Sequence, residues 1–98
     1  MTLSILKLKE KKFYIENVPI ENIIKKFSTP SYIYSKENIL NNYLNFKNQF
    51  DGIDHLICFS VKSNPNIAIL NLLANNGSGF DIVSGGELQR IIAAKGDP

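Results

Sequence analysis

The sequence predicts a parallel α/β fold, on three observations. From residue 36 onward, segments of helical and strand periodicity alternate as helix, strand, helix, strand, helix. The two strand-like runs, in "HLICFSVK" and "GFDIVS", are almost continuously apolar, as strands covered on both faces are. Helix caps and breakers stand at the joints between the segments. Strands joined through helices pair in parallel, with the helices packed on the sheet.

Each element follows from its residues. Leu3 to Ile15 alternates imperfectly and reads as one or two short strands. In "VPIENIIKKF", Ile20, Ile23, Ile24 and Phe27 recur at helical spacing, and Pro19 suits a first helical turn. "STP" stops that helix, because Pro30 drives the residue before it out of the α region. "SYIYS" reads as a brief strand. Ser35 then caps a helix whose stripe is Ile39, Tyr43, Phe46 and Phe50, ending near Asp51-Gly52.

"HLICFSVK", residues 55–62, is the first long apolar strand. Asn64 and Pro65 are expected as N-cap and first residue of the next helix, which runs through "NIAILNLLANN" and stops at Gly77. "GFDIVS" is the second strand. "SGGE" is a capping box, with Ser84 as N-cap and Glu87 three residues later. Leu88, Ile91 and Ile92 give the last helix its buried face, Gly96 ends it, and Asp97-Pro98 reads as a turn. Two parallel strands would leave both edges unpaired, so the pattern looks like the beginning of a larger sheet.

Composition narrows the function. A net charge of +2 is too mild to imply nucleic-acid binding, and the basic run "KLKEKK" suits a solvated strand edge. One cysteine, Cys58, and one histidine, His55, exclude an intramolecular disulfide and a Cys/His zinc site. No apolar run reaches membrane-span length and no signal peptide stands at the start, so a cytoplasmic location is expected. "GSGFDI" fails as a dinucleotide fingerprint, because Ile82 stands where the third glycine is required. The same isoleucine spoils "IVSGG" as a nucleophile elbow. Asp51 and Asp54 lack the further oxygen ligands of a calcium site. His55 and Cys58, three apart on a strand, would face opposite ways.

The residue that asks for explanation is Lys62. Alternation puts Leu56, Cys58, Ser60 and Lys62 on one strand face and Ile57, Phe59 and Val61 on the other. The first set shrinks toward the lysine, leaving room beside it. In parallel α/β folds, ligands gather at the carboxyl ends of strands, where Lys62 stands. From the residues alone, two readings stay open. The amine snorkels to water, or it sits partly out of water, where the neutral form that attacks carbonyl groups is favoured. Asp81, inside the second apolar strand, faces either that site or a structural hydrogen bond. Gly85 and Gly86 either let backbone approach a ligand or only start a tight helix.

"STPSYIYS", "CFSVKSNPN" and "GSGFDIVSGGELQRIIAAKGDP", in this order and spacing, resemble the N-terminal part of the diaminopimelate decarboxylases. The resemblance covers nearly the whole chain and is strongest from Thr29 to Pro98. It implies a pyridoxal-phosphate-binding (β/α)8 barrel of the alanine-racemase type. It also implies that Lys62 is the catalytic residue carrying pyridoxal 5'-phosphate as a Schiff base, and that Asp81 lines the cofactor pocket. The implied reaction converts meso-2,6-diaminopimelate to L-lysine and carbon dioxide, the last step of lysine biosynthesis, in an enzyme that completes its site as a homodimer. No nucleic-acid or membrane partner is implied. Ser60 and Ser63 depart from the alanines usual in the family.

A (β/α)8 barrel takes about 250 residues, so 98 residues hold only its first two strands. Residues 1–28 are then an N-terminal segment of short strands and a helix, and residues 29–98 the first part of the barrel. Such a fragment is expected to be inactive alone. Another pyridoxal-phosphate barrel decarboxylase or racemase, or a non-catalytic remnant, are the competing readings.

Overall fold

The computed structural model describes residues 5–97. Leu3, in the expected first strand segment, and Pro98, in the expected final turn, lie outside the described residues. The chain divides into two compact units, Met1–Tyr43 and Leu44–Pro98.

The first unit opens with an antiparallel hairpin of β1 (Leu6–Lys9) and β2 (Lys12–Ile15), paired from Leu6 with Ile15 to Lys9 with Lys12. The two residues of its turn, Glu10 and Lys11, both have left-handed backbone, with φ of 52° and 66°. That is the two-residue turn that matches strand twist, built here without its usual Asn-Gly pair. A third short strand, β3 (Val18–Pro19), pairs back on β2 and leads directly into helix α1 (Ile20–Phe27). Pro19 therefore stands just before the first turn rather than within it, as the N-cap residue. No residue of α1 is buried. Ser28, at φ 65°, ends α1 and donates its N–H to the Ile24 carbonyl.

"SYIYS" is not a strand. Residues 31–35 have no pairing partner among the described residues, and β-branched and aromatic residues make a strand only where a neighbour takes their hydrogen bonds. Ser35 does cap α2 (Lys36–Asn48), accepting from the Asn38 N–H at 3.1 Å. Gly52, at φ 81°, carries the chain out of the turn that follows α2.

The second unit holds the parallel pair. β4 (Cys58–Ser60) and β5 (Gly79–Asp81) pair in register, Cys58 with Gly79, Phe59 with Phe80 and Ser60 with Asp81. The crossover is α3 (Ile67–Ala74), and α4 (Gly85–Ala93) follows β5. Val61, Leu70, Ile91 and Ala94 form a buried cluster, with Phe59, Phe80 and Ile82 packed against it. The Asn71 side chain ties α3 to the end of α4 by donating to the Ala94 carbonyl at 2.9 Å.

Three expectations need correction here. The strand over residues 55–62 shrinks to three residues, because pairing with a three-residue partner sets its length. The helix after it begins at Ile67 rather than Pro65, with Asn66 as N-cap accepting from the Ala68 N–H. On α4 only Ile91 of the three expected residues is buried. It turns inward together with Ala94, three residues on, and Leu88 and Ile92 remain exposed. The packed seam is thus one residue wide per turn, narrower than an i, i+3, i+4 stripe.

Gly96 marks the end of α4 in an unforeseen way. The left-handed residue there is Lys95, at φ 62°. The Gly96 N–H bonds to the Ile91 carbonyl and the Lys95 N–H to the Ile92 carbonyl, a Schellman closure. Glycine is required at 96 for closeness, since a Cβ there would collide with the Ile91 side chain.

Candidate functional site

The carboxyl ends of β4 and β5 are built from short-range rules. After Ser60 the chain tightens into a single 3-10 turn, Val61–Ser63. Side chains on such a turn advance by about 120° per residue rather than by the half-turn of a strand. Val61 enters the core at 0% exposure, and Lys62 emerges into solvent. Burial alternates along residues 56–59 and again from Val61 to Lys62, with Ser60 half-buried between them. Among the described residues the Lys62 ammonium has no ion-pair or hydrogen-bond partner.

Two asparagines fix the turn behind the lysine. Asn64 Oδ1 accepts from the Asn66 N–H at 3.1 Å, and Asn66 Oδ1 accepts from the Ala68 N–H at 2.9 Å. These successive Asx bonds replace backbone pairing where Pro65 has no donor. Arg90, on α4, donates from Nη1 to the Pro65 carbonyl at 3.1 Å and so fastens the same loop from the far side. Nothing in the sequence singled out Arg90, because its partner is 25 residues away and is a carbonyl.

The parallel register sets Asp81 beside Ser60, two residues before Lys62. Ser60 Oγ donates to Asp81 Oδ2 at 2.9 Å. The sequence raised Ser60 as a member of the Lys62 face and as a departure from alanine, not as a partner of Asp81. Asp81 is exposed at the strand end, and Oδ1 has no partner among the described residues.

Past β5, the capping box forms with one change of partner. Ser84 Oγ accepts from the Glu87 N–H at 3.2 Å, while the Glu87 carboxylate reaches the Val83 N–H, one residue ahead of the cap, at 3.0 Å. A Cβ on Gly85 would meet nothing within 4 Å, and one on Gly86 only the Ser84 hydroxyl at 3.9 Å. Neither glycine answers a packing need of this chain, which leaves the approach to the start of α4 open.

At the opposite end of β4, His55 and Cys58 line one cavity of about 240 Å³ with Phe46, Phe50, Leu56 and Ile57. Residues 54–57 are not regular strand. His55 Nδ1 bonds to the Ile53 carbonyl at 2.6 Å and its ring lies 5.4 Å from that of Phe50. Among the described residues, no three His, Cys, Asp or Glu side chains are placed to hold a metal ion. No described helix is long and apolar enough to cross a membrane.

The chain is similar to known proteins over most of its length. Residues 36–98 match the family described as pyridoxal-dependent decarboxylase, pyridoxal binding domain. The chain is 47% identical over 85 residues to a diaminopimelate decarboxylase of Pseudomonas fluorescens, covering 87% of this chain and 20% of the relative. It is 44% identical over 95 residues to the Haemophilus influenzae protein of that name, covering 97% of this chain and 23% of the relative. Among solved structures, diaminopimelate decarboxylase from M. jannaschii in complex with L-lysine superposes with a TM-score of 0.82. It is 33% identical, over 92% of this chain and 22% of that one. The chain thus spans about a fifth of the length of the relatives it matches.

Proposed function

This chain belongs to the pyridoxal-dependent decarboxylases, within their pyridoxal-binding domain, and from that premise we propose that it carries the cofactor lysine of a diaminopimelate decarboxylase. The residue is Lys62, and the cofactor is pyridoxal 5'-phosphate. The observation that carries the reading is the placement of an unpartnered amine at the carboxyl end of a parallel strand pair.

The donor set fits an aldehyde cofactor. A primary amine with no competing carboxylate on it is the group that condenses with an aldehyde. Lys62 would hold the cofactor covalently through Nζ, and Asp81 would line the pocket beside it. Bound there, pyridoxal phosphate supplies an electron sink for the carbanion left when carbon dioxide departs. The chain's own residues do the rest of what this segment contributes. Val61, locked in the core, fixes the backbone from which Lys62 projects. The Asn64 and Asn66 bonds and the Arg90 clasp hold the loop after it. Asp81 presents an acceptor on the neighbouring strand.

The barrel portion starts at Thr29, and residues 36–98 of it carry the family match. The substrate is meso-2,6-diaminopimelate and the products are L-lysine and carbon dioxide, in a cytoplasmic homodimer. Support for the substrate and product comes from the relatives' names and from the lysine-bound neighbour. The protein carrying this segment, loaded with pyridoxal phosphate, should release carbon dioxide from meso-diaminopimelate, and Lys62→Ala should abolish release. Turnover of ornithine or arginine in place of diaminopimelate would overturn the substrate assignment.

A further inference from the structure

Asp81 is not a loose acid at a strand end. One of its oxygens is already claimed by Ser60, the residue opposite it in the parallel register. A hydroxyl has one proton to donate, and Ser60 spends it on Oδ2. With Oδ2 tied, the carboxylate plane and its side-chain torsions are restricted, and Oδ1 is left as the acceptor. The donor sits on β4 itself, two residues before Lys62, so the acid is indexed to the strand that delivers the lysine. An alanine at 60 would keep the strand and lose this link.

We propose that Ser60 is a positioning residue, which fixes Asp81 through Oδ2 so that Oδ1 meets an N–H or O–H donor of the bound cofactor. The proposal rests on pyridoxal phosphate binding at Lys62. Fixing the acceptor in advance strengthens binding because the ordering cost falls before the ligand arrives.

Two measurements test it. In the protein carrying this segment, three-bond couplings at the Asp81 Cβ protons report its side-chain rotamer. Wild type and Ser60→Thr, which retains the hydroxyl, should show one rotamer, and Ser60→Ala should show averaged couplings. Wild-type couplings in Ser60→Ala would overturn the proposal. In the protein carrying this segment, spectral titration with pyridoxal phosphate should show binding about three- to tenfold weaker for Ser60→Ala, the range one hydrogen bond spans. Ser60→Thr should bind as wild type does. An unchanged dissociation constant for Ser60→Ala would overturn the link to the cofactor. Attachment of the cofactor to a lysine other than Lys62 would instead defeat the reading of the site, while the couplings would still decide whether Ser60 orders Asp81.

Discussion

The two units of this chain reach regular structure by different means. In Met1–Tyr43, strands pair with their immediate neighbours through two-residue turns, and α1 buries nothing. Glu10, Lys11 and Glu16 all adopt left-handed backbone without being glycine. In Leu44–Pro98, pairing joins residues 21 apart, and four side chains from β4's turn, α3 and α4 close a buried cluster. The first unit is held by local geometry, the second by burial and caps. The lesson is where a reactive side chain is placed. Lys62 follows directly upon Val61, one of the two largest fully buried side chains, so backbone anchored in the core presents an exposed amine.

Substitutions sharpen this contrast, beginning with the largest effect. Leu70→Ala empties the centre of the second unit and should cost about 2–5 kcal/mol, read by chemical denaturation. Phe27→Ala in the first unit, at 64% exposure, should change stability by no more than about 0.5 kcal/mol. Equal losses from the two would erase the distinction. Gly96→Ala should cost about 1–3 kcal/mol by forcing Ile91 aside. Asn66→Ala should cost about 1 kcal/mol through the lost cap, and should speed amide exchange at Ala68 before it does so elsewhere. The last change runs the other way. Glu10→Asn with Lys11→Gly should stabilise the hairpin by about 1 kcal/mol, by relieving two left-handed non-glycine residues. A loss there would mean that the side chains of Glu10 and Lys11 do more than fill a turn.

Much of the second unit was legible because its signals are local. Ser84 caps as its spacing indicates, Gly77 ends α3 at φ 86°, and the alternation of strand and helix survives in the structure. The failures share a cause. "SYIYS" has strand composition but no partner, and a partner is not a property of five residues. Leu88 and Ile92 have core chemistry, yet the seam between α3 and α4 takes only Ile91 and Ala94. Pro65 matches a first helical turn, but Asn64 accepts from the Asn66 N–H ahead of the helix and Asn66 caps the helix at Ala68, which postpones its start. At the site, Lys62 was visible as a charge ending an apolar run. The Ser60–Asp81 bond and the Arg90 clasp span 21 and 25 residues, and no periodicity connects such partners.

The measurement that bears most directly on Lys62 is reduction of the protein carrying this segment with borohydride in the presence of pyridoxal phosphate, followed by peptide mass mapping. The account predicts a single phosphopyridoxyl adduct on the peptide containing "CFSVKSNPN", at Lys62, and none on Lys47 or Lys95. An adduct on another lysine with Lys62 unmodified would contradict it.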